Sequence, residues 1–290
     1  MNYFISTLNF SSDIRNRISD TISEMIAKDI RNIEVSSLHP YEEHIEEKLL
    51  RFVQRDQAKI LLHNFAPPSR ESFLINLCDS REAERKRVSD FIKERIVLTK
   101  KLNMDYFSFH AGFRVNYQRG IHEYSSRLGH KQALTIFIEE LRDLLHVAEQ
   151  HKVHLGVENH VTIQENVDNL LLYSKQDFET LFHEIDSKYL HLHLDLGHLK
   201  ISSYENKFDR NEFIKRFGEK VYAMHVHDNT GIKVDCHAPF SENFWFTTAH
   251  LASLTNLKYL IFETKTYGNM ELLGQMERHM QKLLEETIVL

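Results

Sequence analysis

Six short apolar segments of this chain each end in a side chain that binds metals: KILLH to His63, YFSFH to His110, HLGVE to Glu158, HLHLD to Asp195, VYAMH to His225 and YLIFE to Glu263. Side chains alternate across a strand with period two. Leu62, Phe109, Val157, Leu194, Met224 and Phe262 therefore face one way, and the six His, Asp and Glu side chains face the other. Six strands that deliver ligands from the same end to the same side describe one polar site at the mouth of a closed sheet. Histidines and carboxylates gathered together bind divalent metals.

The segments belong to a longer alternation. The pattern predicts strands over Tyr3–Leu8, Asn32–Ser36, Lys59–Asn64, Tyr106–His110, His154–Asn159, Leu190–Leu196, Val221–His227 and Tyr259–Thr264. It predicts helices near Ser12–Asp29, Tyr41–Arg55, Ser80–Leu102, Lys131–His151, Lys175–Ile185, Asp209–Phe217, Ser241–Leu254 and Met270–Glu286. Eight strand–helix units at about 37-residue spacing fit an α/β fold, a single parallel (β/α)8 barrel over the 290 residues. A doubly wound open sheet is the alternative, but it would not bring six strand ends to one point, and no G-x-G-x-x-G follows the first strand. No Pro/Gly/Ser-rich tract divides the chain, so one domain is expected. In such barrels the chemistry sits at the C-terminal strand ends and the loops that follow. All six ligand candidates lie there, as do the longest loops, 111–130, 160–174 and 228–243.

Composition narrows the partners. A net charge of −6 argues against a broad nucleic-acid footprint while leaving room for a local basic patch. Two cysteines, Cys78 and Cys236, fit a reducing compartment. The N-terminus has no basic segment leading into a long apolar run, and no segment approaches a bilayer span, so the expectation is a cytoplasmic protein with no membrane partner. The outer helices of such barrels often pair, which leaves a homo-oligomer open.

Four unpaired ionisable groups converging without a cation would carry a heavy like-charge cost. Glu158, Asp195, His225 and Glu263, ending four consecutive strands, therefore read as a metal site for Mn²⁺, Zn²⁺, Fe²⁺ or Co²⁺. His63 and His110, from the neighbouring strands, can reach a second ion that Glu158 bridges. His198 in LDLGH, with Asp235 and His237 of the D-x-H in VDCHAPF, can bind a third ion or hold substrate; Cys236 points away. His227 has lumen parity and can orient a ligand, touch substrate or anchor its loop by hydrogen bonds. His191 and His193 share that parity deeper in the lumen and read as a buried polar network. Glu34 has it on the second strand and is a candidate substrate contact. Arg114 and Arg119 are the foremost candidates for a phosphate or carboxylate, followed by Lys200 and Lys265. Trp245, in an aromatic cluster after the D-x-H, could cover a sugar ring or pack a helix onto the barrel. The run REAERKRVSDFIKER is a charged helix face.

The ordered set FHAG, VENH, LDLGH, HVHD, DCH and FETK resembles the xylose isomerase-like TIM-barrel superfamily, which holds sugar isomerases and epimerases and the endonuclease IV family. The resemblance covers nearly the whole chain. Its isomerase/epimerase branch implies one divalent metal on Glu158, Asp195, His225 and Glu263, acting as a Lewis acid on the substrate's oxygens. Glu158 and Glu263 would then move a proton at the carbon beside the carbonyl, through an enediolate. Its endonuclease IV branch implies three ions: one on His63, His110 and Glu158, one on Glu158, Asp195, His225 and Glu263, and one on His198, Asp235 and His237. The chain departs from that branch after the D-x-H, where APFSENFW replaces a glycine-rich continuation, and its loops carry few basic and aromatic residues for gripping a duplex. The expected function is isomerisation or epimerisation of a small, polyhydroxylated and potentially phosphorylated sugar. The alternatives are a multinuclear, zinc-dependent phosphoesterase or abasic-site endonuclease, and a non-catalytic metal- or carbohydrate-binding barrel.

Overall fold

A computed structural model describes residues 2–10, 16–37, 39–71, 73–116, 127–163, 165–230, 233–240 and 243–288. Eight parallel strands close on themselves in sequence order. They are β1 (Asn2–Ser6), β2 (Asn32–Val35), β3 (Lys59–His63), β4 (Tyr106–His110), β5 (His154–Glu158), β6 (Leu190–Asp195), β7 (Val221–Val226) and β8 (Tyr259–Phe262). Pairing of β1 with β8 shuts the sheet and excludes the open doubly wound alternative. The alternation read from sequence is met on both faces. Leu62, Phe109, Val157, Leu194, Met224 and Phe262 are all fully buried in the layer between barrel and helices.

The helices among the described residues are α1 (Ile18–Ala27), α2 (Ile45–Asp56), α3 (Glu82–Lys101), α4 (His130–His151), α5 (Lys175–Glu184), α6 (Leu196–Glu205), α7 (Arg210–Phe217), α8 (Thr248–Ala252) and α9 (Met270–Ile288). Helix α3 carries Glu82 and Glu84 in its first turn and Lys100 and Lys101 in its last, the arrangement its dipole favours. The expected start of the first helix at Ser12 lies outside the described residues, as do 241–242 at the start expected for the helix that runs over Thr248–Ala252. One helix, α6, was not expected. It begins directly at the end of β6, where the Asp195 side chain accepts the His198 backbone N–H at 2.7 Å and so caps it. The LDLGH segment is therefore a strand end fused to a helix start, and His198 sits on the first helical turn.

Two local devices set the heights of the ligands. A register shift between β6 and β7 at Leu192/His193 brings Asp195 level with His225. The Asn159 amide then extends the β5–β6 pairing past the strand end: the Asp195 N–H donates to Asn159 Oδ1 (2.7 Å) and Asn159 Nδ2 donates to the Asp195 carbonyl (3.0 Å).

Candidate metal centre

His63, His110, Glu158, Asp195 and His225 stand at the C-terminal ends of β3 to β7, and Glu263 follows β8 directly. Asp235 and His237 come from the loop after β7. That loop is pinned by a paired bridge between Asp228 and Ala238, by the Cys236 N–H on Asn229 Oδ1 (2.7 Å), and by the Lys265 N–H on the His237 carbonyl (2.8 Å). Together with His198 these residues surround the barrel mouth. A cavity of about 470 Å³ opens over them, lined by His63, His110, Glu158, His198, Asp235, His237 and Glu263 among others.

The imidazoles share one arrangement. His198 Nδ1–H donates to the Asn159 carbonyl (3.0 Å) and His237 Nδ1–H to the Glu263 carbonyl (3.0 Å). A carbonyl only accepts, so both Nδ1 protons are placed, and Nε2 of each ring is the atom turned to the Asp235 carboxylate. Those two atoms each stand 3.1 Å from Asp235 Oδ2. His63 Nδ1 bonds Ser108 Oγ (3.0 Å) and turns Nε2 to Glu158 Oε2 at 3.3 Å. His225 Nε2 bonds the Glu34 carboxylate and turns Nδ1 to Glu263 Oε2 (3.1 Å), Asp195 Oδ2 (3.5 Å) and Glu158 Oε1 (3.7 Å). His110 Nε2 is 3.7 Å from Glu158 Oε1.

Close as they are, many of these pairs are not aligned as hydrogen bonds. Both oxygens of Glu158, His225 Nδ1, His110 Nδ1 and Asp235 Oδ1 are buried without a hydrogen-bond partner. Buried polar atoms are rarely left so. Donors that share an ion at about 2.0–2.2 Å stand about 3–3.5 Å apart and aim at a common point rather than at one another. Spacing, misalignment and donor chemistry together fit a divalent cation, and several groups of three or four of these side chains offer ligand atoms within 4.8 Å of one another.

The electrostatics without an ion are strained in the same sense. Burial opposes charge on Glu158 and Asp195, yet both carboxyls are held well below the usual range: Glu158 chiefly by His110, His63 and His225, Asp195 chiefly by His198 and His227. Burial opposes charge on His225 and His198 too, but the surrounding carboxylates win and raise both well above the ordinary histidine value. His237 rises to about 9 beside Glu263 and Asp235, again against burial. His110, where burial dominates, falls to about 4.

The expected substrate contacts divide. Lys265 lines the cavity, and among the described residues its ammonium has no partner. Arg114 instead lies along its own loop, donating through Nε and Nη2 to the Leu128 carbonyl (3.3 and 3.1 Å). Trp245 sits beneath the Arg210 guanidinium, 4.3 Å from the ring centre, and does not line the cavity. Lys200 is held by Asp228 (2.5 Å) and the Asn229 carbonyl (2.7 Å). Arg119 lies outside the described residues. His227 is fully buried and donates Nε2–H to Asp195 at 3.0 Å, which places it behind the ligands. Its ring fits only because residue 197 is glycine; a Cβ there would lie 2.0 Å from the imidazole. Two residues escaped the sequence reading as site elements: Asn159, which braces Asp195 and His198, and His160, which lines the cavity against the His110 ring. Both follow Glu158 in VENH, and a strand end so crowded with polar residues was the available signal.

A closed parallel barrel with a ring of imidazoles and carboxylates at its C-terminal mouth defines a class of protein that carries its chemistry at the strand ends. The sequence matches the family described as xylose isomerase-like TIM barrel over residues 22–286, and the chain belongs to that family. No curated protein gives a significant sequence match. Among solved structures, a D-tagatose 3-epimerase-like protein superposes with a TM-score of 0.74 at 18% identity, covering 99% of this chain and 98% of that one. The IolI protein, solved with a bound zinc atom, gives 0.73 at 13% identity over 99% of both chains. The D-psicose 3-epimerase of Clostridium cellulolyticum H10, solved with D-tagatose, gives 0.68 at 14% identity, covering 100% of this chain and 99% of that one. At these identities the likeness establishes the fold. No helix among the described residues is long and apolar enough to cross a membrane.

Proposed function

We propose that the protein is a divalent-metal-dependent isomerase or epimerase of a small sugar or sugar derivative. The observation that carries this reading is the pair Glu158 and Glu263. Both are buried, both line one cavity from well-separated strands, and both approach Nδ1 of His225. Glu158, Asp195, His225 and Glu263 would hold the ion, and their donor set suits Mn²⁺, Zn²⁺, Co²⁺ or Fe²⁺. When bound, such an ion supplies Lewis acidity toward neighbouring carbonyl and hydroxyl oxygens. The protein's own part is proton transfer. One glutamate takes the proton from the carbon beside the carbonyl, giving an enediolate, and the other returns a proton from its own side.

A cavity of about 470 Å³ suits a monosaccharide, since ligand pockets commonly run about 300–1,000 Å³. The Lys265 ammonium at its edge, without a partner among the described residues, suits a phosphate or carboxylate on that sugar. The epimerase structures superposed above support the substrate class. The two free cysteines are in keeping with a cytoplasmic setting. The test is proton exchange: ketoses such as D-tagatose and D-fructose, with and without a terminal phosphate, incubated in D₂O with Mn²⁺, Co²⁺ or Zn²⁺. Deuterium at the carbon beside the carbonyl, lost in Glu263→Gln, is the expected result. No exchange into any of these sugars would overturn the reading.

One observation favours a second reading, a multinuclear phosphoesterase. His198 Nε2, His237 Nε2 and Asp235 Oδ2 converge beside the four-ligand site, both imidazoles turning the nitrogen away from their backbone carbonyl toward the same carboxylate oxygen. Such clusters bind a phosphodiester and activate water. Two or three ions per chain together with metal-dependent cleavage of an abasic-site duplex would select this reading; one ion per chain and no cleavage would remove it.

A further inference from the structure

Glu34 is the one buried carboxylate at this site that no step above uses. It lies in the middle of β2, level with Ser6 and Leu61, and is 1% exposed. Strands β2 and β7 are not neighbours in the barrel, so its side chain crosses the lumen to reach His225. Both of its oxygens lie against the same ring nitrogen, Nε2, at 3.0 and 3.1 Å. We infer that Glu34 is a positioning residue that fixes the ring of His225 with Nε2 protonated and Nδ1 bare, so that Nδ1 is presented to the cation. The inference rests on the reading that Glu158, Asp195, His225 and Glu263 hold that ion.

The chemistry is short. An ionised carboxylate only accepts, so the nitrogen facing it must carry the proton. A neutral imidazole has one proton, so Nδ1 is then a lone-pair donor. That atom faces Glu263, Asp195 and Glu158 and is left without a hydrogen bond. The other nitrogens that face the site are backed by neutral groups: the Ser108 hydroxyl behind His63, and backbone carbonyls behind His198 and His237. His225 alone among these rings has a full negative charge behind it. A charged partner both orients an imidazole and raises its basicity as a ligand.

Glu34 could instead be a ligand itself, since it, His63 and His225 offer donor atoms within 4.8 Å. The geometry speaks against this. The nitrogen of His225 that meets Glu34 is not the one that meets the other three carboxylates, and His63 turns its Nε2 toward Glu158 Oε2. An ion on the Glu34 side would need the opposite tautomer and would leave the three carboxylates uncompensated.

The experiment compares wild type, Glu34→Gln and His225→Gln, stripped of metal and reloaded with Co²⁺ or Zn²⁺. Dissociation constants come from competition with a chromophoric chelator, stoichiometry from elemental analysis, and the His225 tautomer from long-range ¹⁵N–¹H correlations of the Zn²⁺ form. Circular dichroism confirms that each variant folds. Glu34→Gln keeps the shape but loses the charge, and its amide can also donate to Nε2, which permits the wrong tautomer. The expected result is the same number of ions bound about 10- to 100-fold more weakly, with the Nε2–H signal weakened or lost. Unchanged affinity with an unchanged tautomer overturns the role of Glu34, provided His225→Gln abolishes binding of an ion. Loss of one ion per chain in Glu34→Gln overturns it in favour of direct ligation. Full affinity in His225→Gln overturns the four-ligand reading itself, and the inference with it.

Discussion

The lumen of this barrel is polar at both ends, and the two ends behave oppositely. At the floor, His154 and His191 bond each other (2.7 Å), both stack on Tyr222, and Asp105 is held by Lys258 and Tyr259 at 2.5 Å each. None of these floor side chains leaves a buried polar atom unpartnered. At the mouth, and just beneath it at His193, the same residue types leave Glu158, His225, His110, His160, His193 and Asp235 with buried, unpaired atoms. The floor completes its hydrogen bonds within the protein, and the mouth completes them only with something added. Histidine content therefore says little about function; the state of the second ring nitrogen says much.

The largest expected effect tests whether the mouth alone is reactive. Glu263→Gln should lower turnover of a responsive ketose by about 10²- to 10⁴-fold, whereas His191→Gln at the floor should leave it nearly unchanged. Equal losses, read by solvent-deuterium exchange, would break the contrast.

A matched pair of glycines sharpens it. A Cβ at Gly156 would lie 1.8 Å from Tyr106 Oη, and one at Gly197 2.0 Å from the His227 ring. Each Gly→Ala should cost about 1–3 kcal/mol of stability through overpacking. Only Gly197→Ala should also weaken metal binding, because His227 supports Asp195. Thermal melts with and without metal separate the two.

The ends should also respond to pH with opposite sign. His191 is depressed by burial to about 4, so its neutral form contributes stability that is full above the unfolded value of 6.5 and lost as pH falls toward 4. His237 is raised to about 9, so without metal its contribution is full below 6.5 and lost as pH rises through 9. Metal must displace such protons, so metal affinity should rise with pH by up to about tenfold per unit for each proton released. Melting temperatures of chelated protein across this range, and proton release on metal addition in weakly buffered solution, check both signs.

The smallest effect is at the floor. Asp105→Asn breaks a partly exposed ion pair and should cost no more than about 1 kcal/mol, with turnover unchanged. A loss of metal on this substitution would show that floor and mouth are coupled.

Period-two alternation over four to six residues is enough to place His63, His110, Glu158, Asp195, His225 and Glu263 at strand ends on one side, because the geometry of a strand decides it locally. The same local logic set His191 deeper, where it bonds His154; His193, expected beside it, instead packs against the His225 ring with 4.0 Å between centres. It failed where a residue acts in two elements at once: Asp195 ends a strand and caps α6, and the helix that carries His198 is absent from the predicted pattern. It failed for Arg114 and Trp245 because a loop side chain takes its direction from neighbours such as the Leu128 carbonyl and Arg210. By itself, then, the sequence determined the barrel, the order of its ligands and the end at which they gather, all of which follow from strand periodicity. Only the tertiary structure decided which ring nitrogen of each histidine faces the site, and that Glu34 stands behind His225. Those two residues are 191 positions apart on strands that do not touch, and no local periodicity encodes a contact made across a closed lumen.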